Sequence, residues 1–149
     1  MPQFDVLSRL KYQDQIPQLR LITMNIWFDS FAQEQRYQSI CEMFEAKDPC
    51  IICLQEVVPN FIQLLESYKN GFFTEKYDIQ GGWDKTKYNE SGFVYTTLMM
   101  VRKEYEFEFV VIPFPSYMDK TLLIGYHENI GCFATVHLAT VHLVYTHSI

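Results

Sequence analysis

The stretch Asp48-Pro49-Cys50-Ile51-Ile52-Cys53-Leu54-Gln55-Glu56-Val57-Val58-Pro59 decides how the rest of the chain is read. From Cys50 to Leu54 it is continuously apolar, the pattern of a strand covered on both faces. Asp48-Pro49 closes the element before it, because the residue preceding proline is pushed out of the helical region. Pro59 lacks the amide hydrogen that a first helical turn leaves unbonded, so it suits the start of a helix. Working outward, Tyr37, Ile40, Cys41 and Phe44 fall at i, i+3, i+4 and i+7 and predict a helix upstream. Ser30 with Gln33 three residues on is a capping-box signature for its start. Leu19 to Trp27 is β-rich and predicts the first strand. Downstream, Ile62, Leu65 and Tyr68 mark a second helix, and Asn70-Gly71 supplies its stop. The order strand, helix, strand, helix opens an α/β fold.

Beyond Gly81-Gly82 the pattern changes. Asp84 to Ser91 is polar and predicts a loop. Phe93 to Arg102 is a long β-type run, with a turn at Lys103-Glu104. Tyr105, Phe107, Phe109 and Val111 alternate with Glu106, Glu108 and Val110, as in a half-exposed strand ended by Pro113 and Pro115. Leu122 to Tyr126 and Cys132 to Leu138 predict two more strands, so this half reads as an antiparallel meander. Ala134 to Leu138 recurs at once as Ala139 to Leu143. The offset is odd, so on one strand His137 and His142 face opposite sides.

Composition narrows the function. The chain has 149 residues, 48% of them hydrophobic, with 12 Phe and 10 Tyr, enough for a packed core and suited to one domain. The formal charge of −6 excludes binding nucleic acid through bulk positive charge. A phosphate ligand then needs a local basic strip, for which Lys85, Lys87, Arg102, Lys103 and Lys120 are available, or a bridging metal ion. Those lysines also fit an ordinary solvated face. Met1 to Arg20 lacks the basic-then-apolar pattern of a secretory leader, and no run is long enough to span a bilayer, so the expected location is intracellular and no membrane partner is expected. The four cysteines, Cys41, Cys50, Cys53 and Cys132, are then expected as free thiols. Cys50 and Cys53 have C-x-x-C spacing, but no second pair completes a zinc site, and on a strand the two sulfurs should diverge. They read as small buried hydrophobes.

Asn25 and Glu56 both fall at strand carboxyl ends, where ligands of open α/β sheets gather. One carboxylate beside one amide suits Mg²⁺, which takes one or two protein carboxylates together with water and substrate phosphate. The amide holds a carboxylate or a phosphate oxygen without adding charge. Taken singly, each residue is also an ordinary strand-end polar residue.

Taken together, Thr23-x-Asn25-x-Trp27 and, one helix later, Leu54-Gln55-Glu56-Val57 resemble the opening of the endonuclease/exonuclease/phosphatase superfamily. Leu54 to Pro59, Phe93 to Lys103, and Val111-Ile112-Pro113-Phe114-Pro115-Ser116 with Met118 and Leu122-Leu123 are similar to its 5′-tyrosyl-DNA phosphodiesterase branch. The resemblance runs from Leu19 to Leu138. It implies a four-layer α/β/β/α sandwich with mixed sheets, of which this chain would be the N-terminal part. Residues 1–18 are then a lead-in and 19–149 a partial domain.

The resemblance also implies a Mg²⁺-dependent phosphodiester hydrolase, with Mn²⁺ as a substitute, acting on 5′-tyrosyl DNA in DNA repair. Asn25 would position the phosphate and the attacking water, and Glu56 would ligate the metal. His137 would lie near the scissile phosphate, with His142 as its duplicate, and Lys120 would stand where the family has a phosphate-binding arginine. Lysine keeps that charge and loses the planar fork. Neither histidine is followed by the family's Glu-Ser, and no Gly-Asp-x-Asn or Asp-His occurs in these residues. The expectation is little or no turnover by this chain alone. Alternatives are a non-catalytic binding module or partial gene product of the same fold, and a sphingomyelinase-like or deadenylase-like branch.

Overall fold

The structure, a computed structural model, describes residues 18–81, 95–114 and 121–136. Strand β1 (Leu21–Asn25) leads through a loop to helix α1 (Gln33–Lys47), strand β2 (Ile51–Val57) and helix α2 (Pro59–Ser67). A 3-10 turn (Tyr68–Asn70) and the short helix α3 (Phe72–Lys76) lead into β3 (Tyr77–Gly81). Then come β4 (Thr96–Arg102), β5 (Glu108–Pro113), β6 (Thr121–His127) and β7 (Gly131–Val136).

The first sheet has the order β1-β2-β4-β3. β1 and β2 are parallel, with Leu21 opposite Ile51 and Asn25 opposite Gln55, and the other pairs are antiparallel. The second sheet, β5-β6-β7, is an antiparallel meander. The predicted meander was therefore too large, because β4 belongs to the first sheet. Leu98, Met99, Met100 and Val101 are all buried, so β4 needs cover on both faces, which a central place between β2 and β3 provides. β3 was missed altogether. Its short alternating run, Tyr77-Asp78-Ile79-Gln80-Gly81, lies against the glycines read as a loop.

Two cores follow from these layers. On one face of the first sheet, Ile52, Leu54, Leu98 and Met100 meet Tyr37, Cys41 and Phe44 of α1, Phe61 and Leu65 of α2, and Phe73 of α3. On the other face, Ile51, Cys53, Met99 and Val101 meet Phe107, Leu123, Phe109 and Phe133 of the second sheet and its approach. Gly125 permits this approach, since a Cβ there would stand 2.6 Å from the Met99 sulfur. Gln55 also ties the sheets, donating from Nε2 to the buried Thr135 Oγ1 at 3.0 Å. The described residues thus form three of the expected four layers: helices, mixed sheet, antiparallel sheet. The outer face of the second sheet carries Val110 (51% exposed), Ile112 and Tyr126.

Cys50 and Cys53 do not diverge as expected. Cys50 precedes the first paired residue of β2, so strand alternation does not govern it, and both cysteines join the inter-sheet core. Burial pushes the Cys53 thiol up to about 11, which suits an inert hydrophobe. Among the described residues no three His, Cys, Asp or Glu gather as a metal-binding group, and no helix is long and apolar enough to cross a membrane.

Candidate functional site

The carboxyl ends of β1 and β2 lie side by side because the strands are parallel and in register, Asn25 against Gln55. Glu56 follows at a register shift between Leu54 and Val57, with φ of +58°. A bulge re-aims a side chain at a strand end, and here Asn25 Nδ2 donates to Glu56 Oε1 at 2.9 Å. The two residues the sequence singles out, 31 positions apart, are therefore in contact.

The loop after β1 completes the arrangement. The Trp27 amide donates to Asn25 Oδ1 at 2.9 Å, and the Phe28 amide donates to Glu56 Oε2 at 3.3 Å. Both ends of the Asn25 amide and both oxygens of the carboxylate are thus engaged. Asn25 orients Glu56 in this geometry, and Glu56 is the oxygen donor suited to a hard divalent ion.

Arg36, which the sequence reading passed over, holds that loop. Its guanidinium donates to the carbonyls of Trp27 (2.6 Å), Asp29 (3.0 Å) and Phe31, and its carbon lies 4.6 Å from the Trp27 ring centroid. A cation in the first turn of a helix opposes the helix dipole. The sequence held no signal for this, because the expected cap at Ser30 puts Arg36 beyond the first turn. The predicted cap is not formed. The helix N-cap is Ala32, in the left-handed region at φ 47°, with no side-chain cap bond. Gln33 Nε2 reaches back to the Phe28 carbonyl (3.2 Å) in place of the Ser30 amide expected of a capping box.

Lys120, His137 and His142, together with Ser116, Met118 and the predicted loop Asp84 to Ser91, lie outside the described residues. So do the lead-in before Gln18 and the second copy of the repeat.

The fold has counterparts among solved structures. A humanised D. rerio TDP2 matches with a TM-score of 0.66 and 26% identity, over 82% of this chain and 48% of that one. The chain resembles TDP2, of the endonuclease/exonuclease/phosphatase superfamily. D. rerio TDP2 complexed with single-strand DNA product matches with a TM-score of 0.64 and 25% identity, over 82% of this chain and 46% of that one. The human Nocturnin catalytic domain shares the fold at a TM-score of 0.55 and 18% identity, over 81% of this chain and 49% of that one. The chain spans about half the length of the TDP2 structures from D. rerio. No family model matches it, and no curated protein does. The superfamily resemblance read from the sequence therefore holds in three dimensions.

Proposed function

We propose that the chain is part of a metal-dependent phosphodiester hydrolase of the TDP2 type, with a 5′-tyrosyl DNA end as substrate and DNA repair as its setting. The contact between Asn25 and Glu56 at the carboxyl ends of parallel strands supports this reading most directly. Glu56 is the residue for Mg²⁺ or Mn²⁺, which would neutralise the phosphodiester and its developing charge. Asn25 and the Phe28 amide aim that carboxylate. The proposed division of labour gives this chain the metal-anchoring side of the reaction. His137 near the scissile phosphate and Lys120 on a phosphate oxygen remain part of the proposal. With neither Gly-Asp-x-Asn nor Asp-His among the 149 residues, these residues alone should turn over slowly or not at all.

The test uses the chain as it stands. Mn²⁺ binding in the presence of a 5′-phosphorylated oligonucleotide should be saturable for the wild type and weakened at least about tenfold in Glu56→Gln. Equal Mn²⁺ binding by both proteins would remove the metal role. Release of tyrosine from a 5′-tyrosyl oligonucleotide should be slight. Rapid release that disappears in Glu56→Gln would instead show that these residues suffice for catalysis.

A further inference from the structure

The loop between β1 and α1 leaves two rings facing outward, Trp27 and, farther from Asn25 in the chain, Phe31. Ile26 is buried in the helix-side core. Phe28 packs against that core and stacks on Tyr95, with centroids 5.0 Å apart and planes within 6°. Trp27, between them, is 48% exposed. Its backbone lies at φ 57°, a region that bulky residues rarely occupy, and an observed outlier of this kind is a fair starting point for a functional hypothesis.

Trp27 is held on several sides. Its amide is bonded to Asn25, its carbonyl accepts from Arg36, and the same guanidinium lies against its ring. An indole fixed in this way loses little freedom when a second flat ring comes to it, so its exposed surface is preorganised. It also stands two residues from Asn25, where the proposed function places a phosphate. A base attached to that phosphate comes within one nucleotide's reach of the indole.

We propose that Trp27 is a stacking platform for the nucleobase next to the phosphate bound at Asn25 and Glu56, and that its occupant is single-stranded nucleic acid. The placement of the phosphate rests on the proposed function; the platform adds which part of the substrate is gripped. A single strand offers an open base face, and stacking tolerates any base because every base has one. Stacking adds affinity that bulk positive charge, absent from this chain of net charge −6, does not supply.

The experiment reads Trp27 fluorescence in the full chain carrying Trp83→Phe, which removes the other tryptophan. Two probes are titrated: a 5′-phosphorylated single-stranded hexamer, and the same strand with an abasic first nucleotide. The base-bearing strand should quench Trp27 and bind about tenfold more tightly than the abasic one. Trp27→Ala, followed by fluorescence anisotropy of a labelled strand, should erase that difference, and Trp27→Phe should keep most of it. The proposal is overturned if Trp27→Ala weakens both strands equally, which a structural role would do. It is also overturned if the base makes no difference, or if no saturable binding occurs below ~1 mM. Glu56→Gln separates the two readings. If the metal role is wrong, Mn²⁺ binding is unchanged in that variant while the coupling between Trp27 and the base persists. If the platform is wrong, the coupling vanishes and the loss of Mn²⁺ binding in Glu56→Gln remains.

Discussion

At the amino end of the first sheet, Asp48 lies among cations; at the carboxyl end, Glu56 is aimed by amides. Asp48 is ion-paired with Arg20, one residue before β1, with Lys76, the last residue of α3, and with Arg102, the last residue of β4. Arg102 also donates to the carbonyls of Asp48 and Pro49, so one guanidinium fastens the turn ahead of β2. Glu56 instead receives N–H groups from Asn25 and Phe28. Cations around a carboxylate cancel its charge and pin the elements that carry them. Neutral amides fix where a carboxylate points and do not themselves cancel its charge. The first arrangement ties the ends of several elements together, and the second fixes the direction of one carboxylate.

The largest expected effect breaks the carboxyl-end arrangement. Asn25→Ala should lower the affinity for Mn²⁺ by about 10–100-fold, as loss of a residue orienting a metal ligand commonly does. Its melting temperature should stay within about 3 °C of wild type, since Asn25 is exposed. A large drop in melting temperature with unchanged Mn²⁺ affinity would make the pair structural, like its counterpart at the other end.

Asp48→Ala should do the reverse. It leaves three cations close together, one of them, Arg102, with a side chain only 15% exposed. A loss of about 1–2 kcal/mol is expected in urea unfolding, discounted because Asp48 itself is partly solvated, with Mn²⁺ affinity unchanged. The acid limb should change too. Hydrogen bonding from Lys76, helped by Arg102, holds the Asp48 carboxyl down to about 2. Its ordinary value in the unfolded chain is about 3.9. A depressed carboxyl contributes stability that is full above about pH 4 and is lost as pH falls through about 2. Stability of the wild type should therefore decline across that window, and the decline should be shallower in Asp48→Ala.

A smaller effect is expected from Arg36→Lys. The ammonium keeps the charge and cannot span three carbonyls as the guanidinium does, so a loss of about 1 kcal/mol follows. Hydrogen exchange of the Trp27 and Phe28 amides should quicken more than that of β2. Uniform quickening would mean that Arg36 supports the whole fold and not the loop.

Much of this was legible in the chain. The buried strand at Cys50 to Leu54 and the helix stripe at Tyr37, Ile40, Cys41 and Phe44 both rest on periodicity, which depends on nearby residues alone. The placing of Asn25 and Glu56 at adjacent strand ends followed from the same pattern. The capping box at Ser30 and Gln33 failed because the helix begins at Gln33 with Ala32 as its N-cap, so Gln33 stands at the first helical position, and its side chain donates to the Phe28 carbonyl. The meander failed because an apolar run such as β4 does not say which sheet it joins.

By itself, then, the sequence determined the β-α-β opening, the buried character of β2, the strand character of β4, and which carboxylate and amide stand at the strand ends. Tertiary structure alone decided the partner of each strand and the outward turn of Trp27. It also decided the meeting of Cys50 and Cys53 in one core and the task of Arg36. The reason is range. Periodicity and turn chemistry act within a few residues, whereas these outcomes depend on which distant surfaces must be covered and which distant carbonyls need a donor.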